Sequence, residues 1–124
     1  MAAESIGGLA GVLIWTEPER FAAMARFYRD TLGLTPRSDK PDSINFDWQG
    51  VRLSVSVHDR VGGTSRDPLR LMINLTVTDI REVHDRLVRG GVVFTRAPER
   101  EEWGGWVATF SDPDGNVLQL MQQP

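Results

Sequence analysis

The sequence predicts an α+β fold in which two β-α-β-β-β units form curved mixed sheets around a pocket. Three observations carry this expectation. Short runs alternate strictly between apolar and polar residues, each half of the chain holds one segment of helical period, and both halves repeat the same order of elements. At 124 residues the chain is one domain's worth, long enough to bury a real core. The predicted layout is a single domain over 1–124, with unit one at 9–59, a linker at 60–69 and unit two at 70–123.

Unit one opens with Gly11-Val12-Leu13-Ile14-Trp15, a short β-type apolar run ending at Thr16-Glu17-Pro18-Glu19. Thr16 and Glu19 have capping-box spacing, and Pro18 is compatible with a first helical turn. Phe21, Met24, Ala25, Tyr28 and Leu32 follow at helical spacing, and Gly33 supplies the stop. A polar stretch then leads into Ile44 to Trp48, the turn Gln49-Gly50, and Val51 to Val57. Both runs alternate, as a half-buried hairpin requires.

Unit two repeats the order. Leu71 to Val77 reads as a strand, Asp79 and Glu82 as a capping pair, and Ile80, Val83 and Leu87 as one helix face that Gly90-Gly91 ends. Val92 to Thr95 reads as a short strand. Trp106 to Phe110 and Val117 to Met121 form the closing hairpin around Asp112-Pro113-Asp114-Gly115, whose Pro, Gly and Asp residues are turn chemistry. Glu17 and Asp79 are 62 residues apart but Gly33 and Gly91 only 58, so the first helix is about one turn longer. Between the units, Val61 to Pro68 is rich in Gly, Ser and Pro and reads as a loose connection.

One helix per sheet leaves one sheet face open, and alternation assigns the faces. Leu53, Val55 and Val57 go to the helix; Arg52, Ser54, Ser56 and His58 stay open. If Gln49-Gly50 is a two-residue turn, Asp47 lies opposite Arg52 and Asn45 opposite Ser54. Ile73, Leu75 and Val77 are helix-facing, while Met72, Asn74, Thr76 and Thr78 are open. Leu118 and Leu120 are core; Val117, Gln119 and Met121 face the open side. Val12 and Ile14 are placed on that side too, with Trp15 in the core. Two sheets brought together would enclose the open faces as a pocket.

The bulk numbers narrow the function. A formal net charge of −3 with scattered Arg gives no basic footprint for nucleic acid. No apolar run approaches the roughly 20 residues that cross a bilayer, and the first residues lack the basic and apolar regions of a signal peptide. With no cysteine there is no disulfide, thiolate metal site or thiol nucleophile, which fits a cytoplasmic location. The expected partners are a small-molecule ligand or another copy of the chain, without nucleic acid or membrane.

The repeated unit, the "FYRDTLGL" that ends the first helix, the "WGGW" segment and "SDPDGNVLQL" resemble the vicinal oxygen chelate superfamily, the group of glyoxalase I, extradiol dioxygenases and bleomycin-resistance proteins. The resemblance covers nearly the whole chain. In the superfamily's metal-dependent enzymes, His, Gln and Glu on the first and last strands of each unit hold a divalent metal. Carried over, those positions fall on Ala10 and Met72, and on Ser54 and Gln119. Ala10 has no donor, Met72 offers a soft thioether, and Ser54 and Gln119 offer neutral oxygens, so no metal site and no metal cofactor is expected. The resemblance also implies a homodimer, often built by sharing or swapping units.

The remaining candidates each carry a functional and a structural interpretation. Asp47 with Arg52 is a cross-strand ion pair or a polar anchor for a substrate. His58 ends a pocket-facing strand, whereas His84 reads as an exposed helix residue. Trp103 either packs the sheet edge or stacks on a flat ligand; Trp106 reads as packing and Trp48 as a hairpin cap. The expected ligand-binding set is Ile14, Asp47, Arg52, Ser54, His58, Met72, Asn74, Trp103, Gln119 and Met121, with no catalytic residue singled out. The leading expectation is a metal-independent protein that binds an aromatic or heterocyclic compound. The alternatives are a superfamily enzyme (lyase, isomerase or dioxygenase) using His58 or Asp47 as base, and an interaction module without a small ligand.

Overall fold

The computed structural model describes residues 4–124 and forms the predicted β-α-β-β-β unit twice. Unit one comprises β1 (Gly11–Thr16), a helical segment, β2 (Ser38–Lys40), β3 (Ser43–Trp48) and β4 (Val51–Val57). Unit two comprises β5 (Met72–Thr76), α2 (Ile80–Arg89), β6 (Phe94–Arg100), β7 (Trp106–Ser111) and β8 (Val117–Gln122). The sheets are four-stranded, ordered β1-β4-β3-β2 and β5-β8-β7-β6. β1 runs parallel to β4 and β5 parallel to β8, which leaves β1 and β5 as free edges of their sheets.

The helical segment of unit one is not uniform. A 3₁₀ turn at Pro18–Arg20 leads into α1 (Phe21–Arg26), which widens into a π turn at Phe27–Thr31. Leu32 N–H closes that wide turn on the Phe27 carbonyl at 2.8 Å, and Gly33 (φ +76°) ends it. The expected Thr16–Glu19 box is absent: Glu17 occupies the cap position without a side-chain bond, because the Thr16 hydroxyl is engaged elsewhere. α2 does carry its cap, with Asp79 Oδ1 accepting from Glu82 N–H at 3.2 Å. The Gln49-Gly50 turn has both residues at positive φ (50° and 89°), the two-residue geometry that matches strand twist.

One core serves both units. Ile14, Met24, Tyr28, Ile44, Phe46, Leu53 and Val55 from unit one join Ile80, Leu87, Ala108, Phe110, Leu118 and Leu120 from unit two in a single buried cluster. Met24, Tyr28, Ile80 and Leu87 come from the helical segments and the others from helix-facing strand positions, so the units meet helix side to helix side. The expected pocket enclosed by two open faces therefore does not form within one chain. Those faces look outward, with Leu13, Trp15, Met72 and Trp103 each 44–49% exposed.

The turn between β7 and β8 clasps the two units together. Asp112 and Asp114 are buried. Asp112 accepts from the Tyr28 hydroxyl at 2.7 Å, and from Asn116 Nδ2 and the Asp114 and Asn116 N–H groups at 2.9–3.0 Å. Asp114 accepts from the Thr16 hydroxyl and from Arg20 Nε, both at 2.6 Å. Burial pushes the Asp112 carboxyl above its ordinary range, against the opposing hydrogen bonds from Tyr28 and Asn116. Burial, reinforced by the Asp112 charge, holds the Tyr28 phenol well above its usual value. The linker joins the same turn, with Ser65 N–H on the Asp114 carbonyl at 2.7 Å.

Candidate functional site

On the open face of each sheet, register places four side chains in a row across the strands. In unit one the row is Leu13, Ser54, Asn45 and Ser38. The Ser54 hydroxyl donates to Asn45 Oδ1, and Asn45 Nδ2 donates to Ser38 Oγ at 2.7 Å. In unit two the row is Asn74, Gln119, Thr109 and Arg96. Gln119 Nε2 donates to Asn74 Oδ1 at 3.1 Å, and Arg96 reaches Glu101 and Glu99 at 2.9 and 3.2 Å.

These rows revise the first-strand positions. Asn74, not Met72, lies beside Gln119, and Leu13, not Ala10, lies beside Ser54. A metal would thus meet one side chain with no donor and three neutral ones that already bond neighbours. Hard divalent cations need carboxylates or imidazoles with free lone pairs, so this set does not fit one. Among the described residues no cluster of three or more His, Cys, Asp or Glu is placed to hold a metal either.

A cleft lies on the other side of the sheets, where the free edge of β5 faces the hairpin end of unit one. This cleft measures about 820 Å³. Unit one lines it with Val12, Trp48, Val51 and Leu53, and unit two with Ile73, Leu75, Val83 and Leu87. Because β5 is an edge, its open-side residues Met72, Asn74 and Thr76 also reach the cleft. The other polar groups on its wall are Gln49, Arg52 and Arg86. Arg86 donates to the Thr31 and Leu32 carbonyls at 3.3 and 3.2 Å, which fixes it between α2 and the end of the first helix. A shallower recess of about 420 Å³ adjoins the cleft, sharing Val12 and Arg52 and adding Gly11, Leu13 and Ser54. Gly11 is required by the close approach of β1 to β4, since a Cβ there would collide with the Arg52 carbonyl.

Of the ten expected residues, Arg52, Met72 and Asn74 line the cleft, and Ser54 lines the recess beside Arg52. Gln119 touches Asn74 at the cleft's edge. Ile14 is a correction: it pairs with Val55 on the helix side and is only 8% exposed in the core. Trp15 is the matching correction, since it faces outward and meets the His58 ring edge-on at 4.9 Å. The strand extends through buried Thr16, so its parity is opposite to that of a run ending at Trp15. Asp47 stands opposite Arg52 in register, but its carboxylate lies 3.5 Å from Arg37 instead. His58 Nδ1 accepts the Arg60 N–H at 3.0 Å, so that nitrogen is not free to take a proton from a substrate. Trp103 lies across Gly105, in space that any Cβ would fill, and Met121 sits opposite Val107; neither lines the cleft. His84 is less exposed than expected, its ring packing at a tilt against Phe94 with centroids 4.5 Å apart.

Sequence reasoning missed Trp48 and Arg86 as cleft residues. Trp48 had a visible signal, a large aromatic at a hairpin tip where packing alone does not demand one. Arg86 had none, because a polar position on an amphipathic helix is ordinary solvent-facing pattern.

A model of the Glyoxalase/Bleomycin resistance protein/Dioxygenase superfamily matches residues 18–120. The uncharacterized protein YetH of Bacillus subtilis is 23% identical over 116 residues, spanning 90% of this chain and 94% of that one. The crystal structure of a glyoxalase-related enzyme from Fulvimarina pelagi superposes with a TM-score of 0.77 at 24% identity, covering 96% of this chain and 90% of that one. A superfamily member from Sphaerobacter thermophilus superposes with a TM-score of 0.69 at 27% identity, covering 95% and 98%. Among the described residues, no helix is long and apolar enough to cross a membrane.

Proposed function

The chain belongs to the Glyoxalase/Bleomycin resistance protein/Dioxygenase superfamily, and we propose that it is a member that binds a small molecule without using a metal. The observation that carries this reading is the cleft between the units. Its volume of about 820 Å³ falls within the range of small-molecule sites, and its apolar walls are interrupted by few polar groups. Trp48, 44% exposed on that wall, offers a face for stacking an aromatic or heterocyclic compound. The exposed apolar residues of the open faces support association with a second copy, which would cover Leu13 and Trp15.

The competing reading, a metal-dependent lyase, isomerase or dioxygenase, needs a Lewis acid held by charged or imidazole donors. The neutral rows favour the binding reading. Screening aromatic and heterocyclic compounds by thermal shift and tryptophan fluorescence tests it. At least one compound is expected to raise Tm and quench emission, with the quench reduced in Trp48→Phe. Absence of any response across the panel overturns the reading, and a stoichiometric divalent ion in protein purified without chelator overturns its metal-free part. Sedimentation is expected to give a dimer.

A further inference from the structure

We propose that the cleft selects ligands whose apolar body carries one anionic group, a carboxylate or sulfonate, bound by Arg52. This rests on the cleft being the ligand site and adds the charge of what enters it. The chain has 17 acidic residues, yet among the described residues none lines the cleft or the adjoining recess. The charged groups on their walls are two guanidinium ions, Arg52 and Arg86. Arg86 is held by two backbone carbonyls and contributes fixed positive charge. Arg52 is different. Its cross-strand neighbour Asp47 is turned to Arg37, and among the described residues Arg52 forms no ion pair and its side chain donates no hydrogen bond.

Arg52 also sits where both cavities meet. It lines both the cleft and the recess, with Gly11 and Gly50 beside it on the recess wall. A planar fork with free N–H groups binds a carboxylate or sulfonate in two-point fashion. The apolar body would then run along Val12, Leu53 and Leu75, with Trp48 at one side.

The test compares anilinonaphthalenesulfonate with its uncharged parent, N-phenylnaphthylamine, on the full chain, following probe fluorescence and energy transfer from tryptophan. The sulfonate is expected to bind about tenfold more tightly than the parent, as one charge-assisted hydrogen-bonded contact implies. Rising salt should erode that preference. Arg52→Gln should abolish it, lowering affinity for the sulfonate far more than affinity for the parent, and Arg52→Lys should restore part of it. Energy transfer falling in Trp48→Phe places the probe in the cleft. Equal affinity for the two probes overturns the charge preference and leaves the small-molecule reading standing. Binding of neither probe overturns both. If Arg52→Gln instead converts a dimer to monomers and leaves sulfonate binding intact, the cleft is covered by a second copy and the proposal fails.

Discussion

The two units share a plan but end their hairpins differently. In unit one the Gln49-Gly50 turn is a two-residue tip exposed to solvent. In unit two the equivalent turn carries two buried carboxylates and reaches into unit one, where Thr16, Arg20 and Tyr28 bind it. The open-face rows differ in the same sense. Ser54 is only 8% exposed and closed by Asn45, whereas Asn74 lies on a free strand edge at the cleft. A duplicated pattern thus yields two similar sheets, and specialisation enters through strand ends and edges: one turn joins the units, and one edge borders the cavity.

If the shared core is what unites the units, the largest effects come from matching aromatics. Phe46 and Phe110 stand at equivalent helix-facing positions, and Phe110 lies 6.2 Å from Phe27 of the other unit. Phe46→Ala and Phe110→Ala should each cost about 3–5 kcal/mol in urea unfolding. Each variant should unfold in one transition, coincident by fluorescence and circular dichroism, rather than losing one unit first.

Next in size is the clasp. Tyr28→Phe removes a buried donor to a carboxylate and should cost about 1.5–3 kcal/mol by the same assay. Asp112→Asn sharpens the point through pH. The folded protein holds the Asp112 proton more firmly than the unfolded chain does, so its contribution is full below the ordinary value of 3.8 and is lost as pH rises through the folded value. The stability of the native sequence relative to Asp112→Asn should therefore grow as pH falls through the carboxylate range. A difference that stays flat, or shrinks, would contradict the burial argument.

The smallest effects separate the rows. Asn45→Ala strips the acceptor from nearly buried Ser54 and should cost about 1 kcal/mol. Asn74→Ala, at an exposed edge, should change stability by less than about 0.5 kcal/mol. Equal costs would mean that the two rows are structurally equivalent after all.

Much of this was legible in the sequence. Strict alternation placed β3, β4 and β8 and their faces, and Asp79 with Glu82 marked the start of α2. β2 was hidden because Ser38-Asp39-Lys40 has no apolar residue to show a period. The face of β1 was misread because a short apolar run does not fix its own parity; buried Thr16 does, and its burial depends on Asp114 from the far end of the chain. The cleft was illegible for a related reason. Alternation gives the faces of a sheet but not which faces two sheets press together, and here the helix sides won. The candidate residues recovered, Arg52, Met72 and Asn74, are those beside a hairpin tip or on an edge strand, where either face meets the cavity.

The bond from Thr16 to Asp114 spans 98 residues. A nascent chain leaves the ribosome N-terminus first, so Thr16 emerges long before its acceptor exists. Until the last hairpin is synthesised, Thr16, Arg20 and Tyr28 wait without partners, and the apolar side that unit one turns toward unit two stays uncovered. Folding of the first half stays incomplete until residues 112–114 have emerged. The Asp112–Asp114 turn thus arrives late to join the two units, and a stall or truncation shortly before residue 112 would release these elements without β8 and without the clasp.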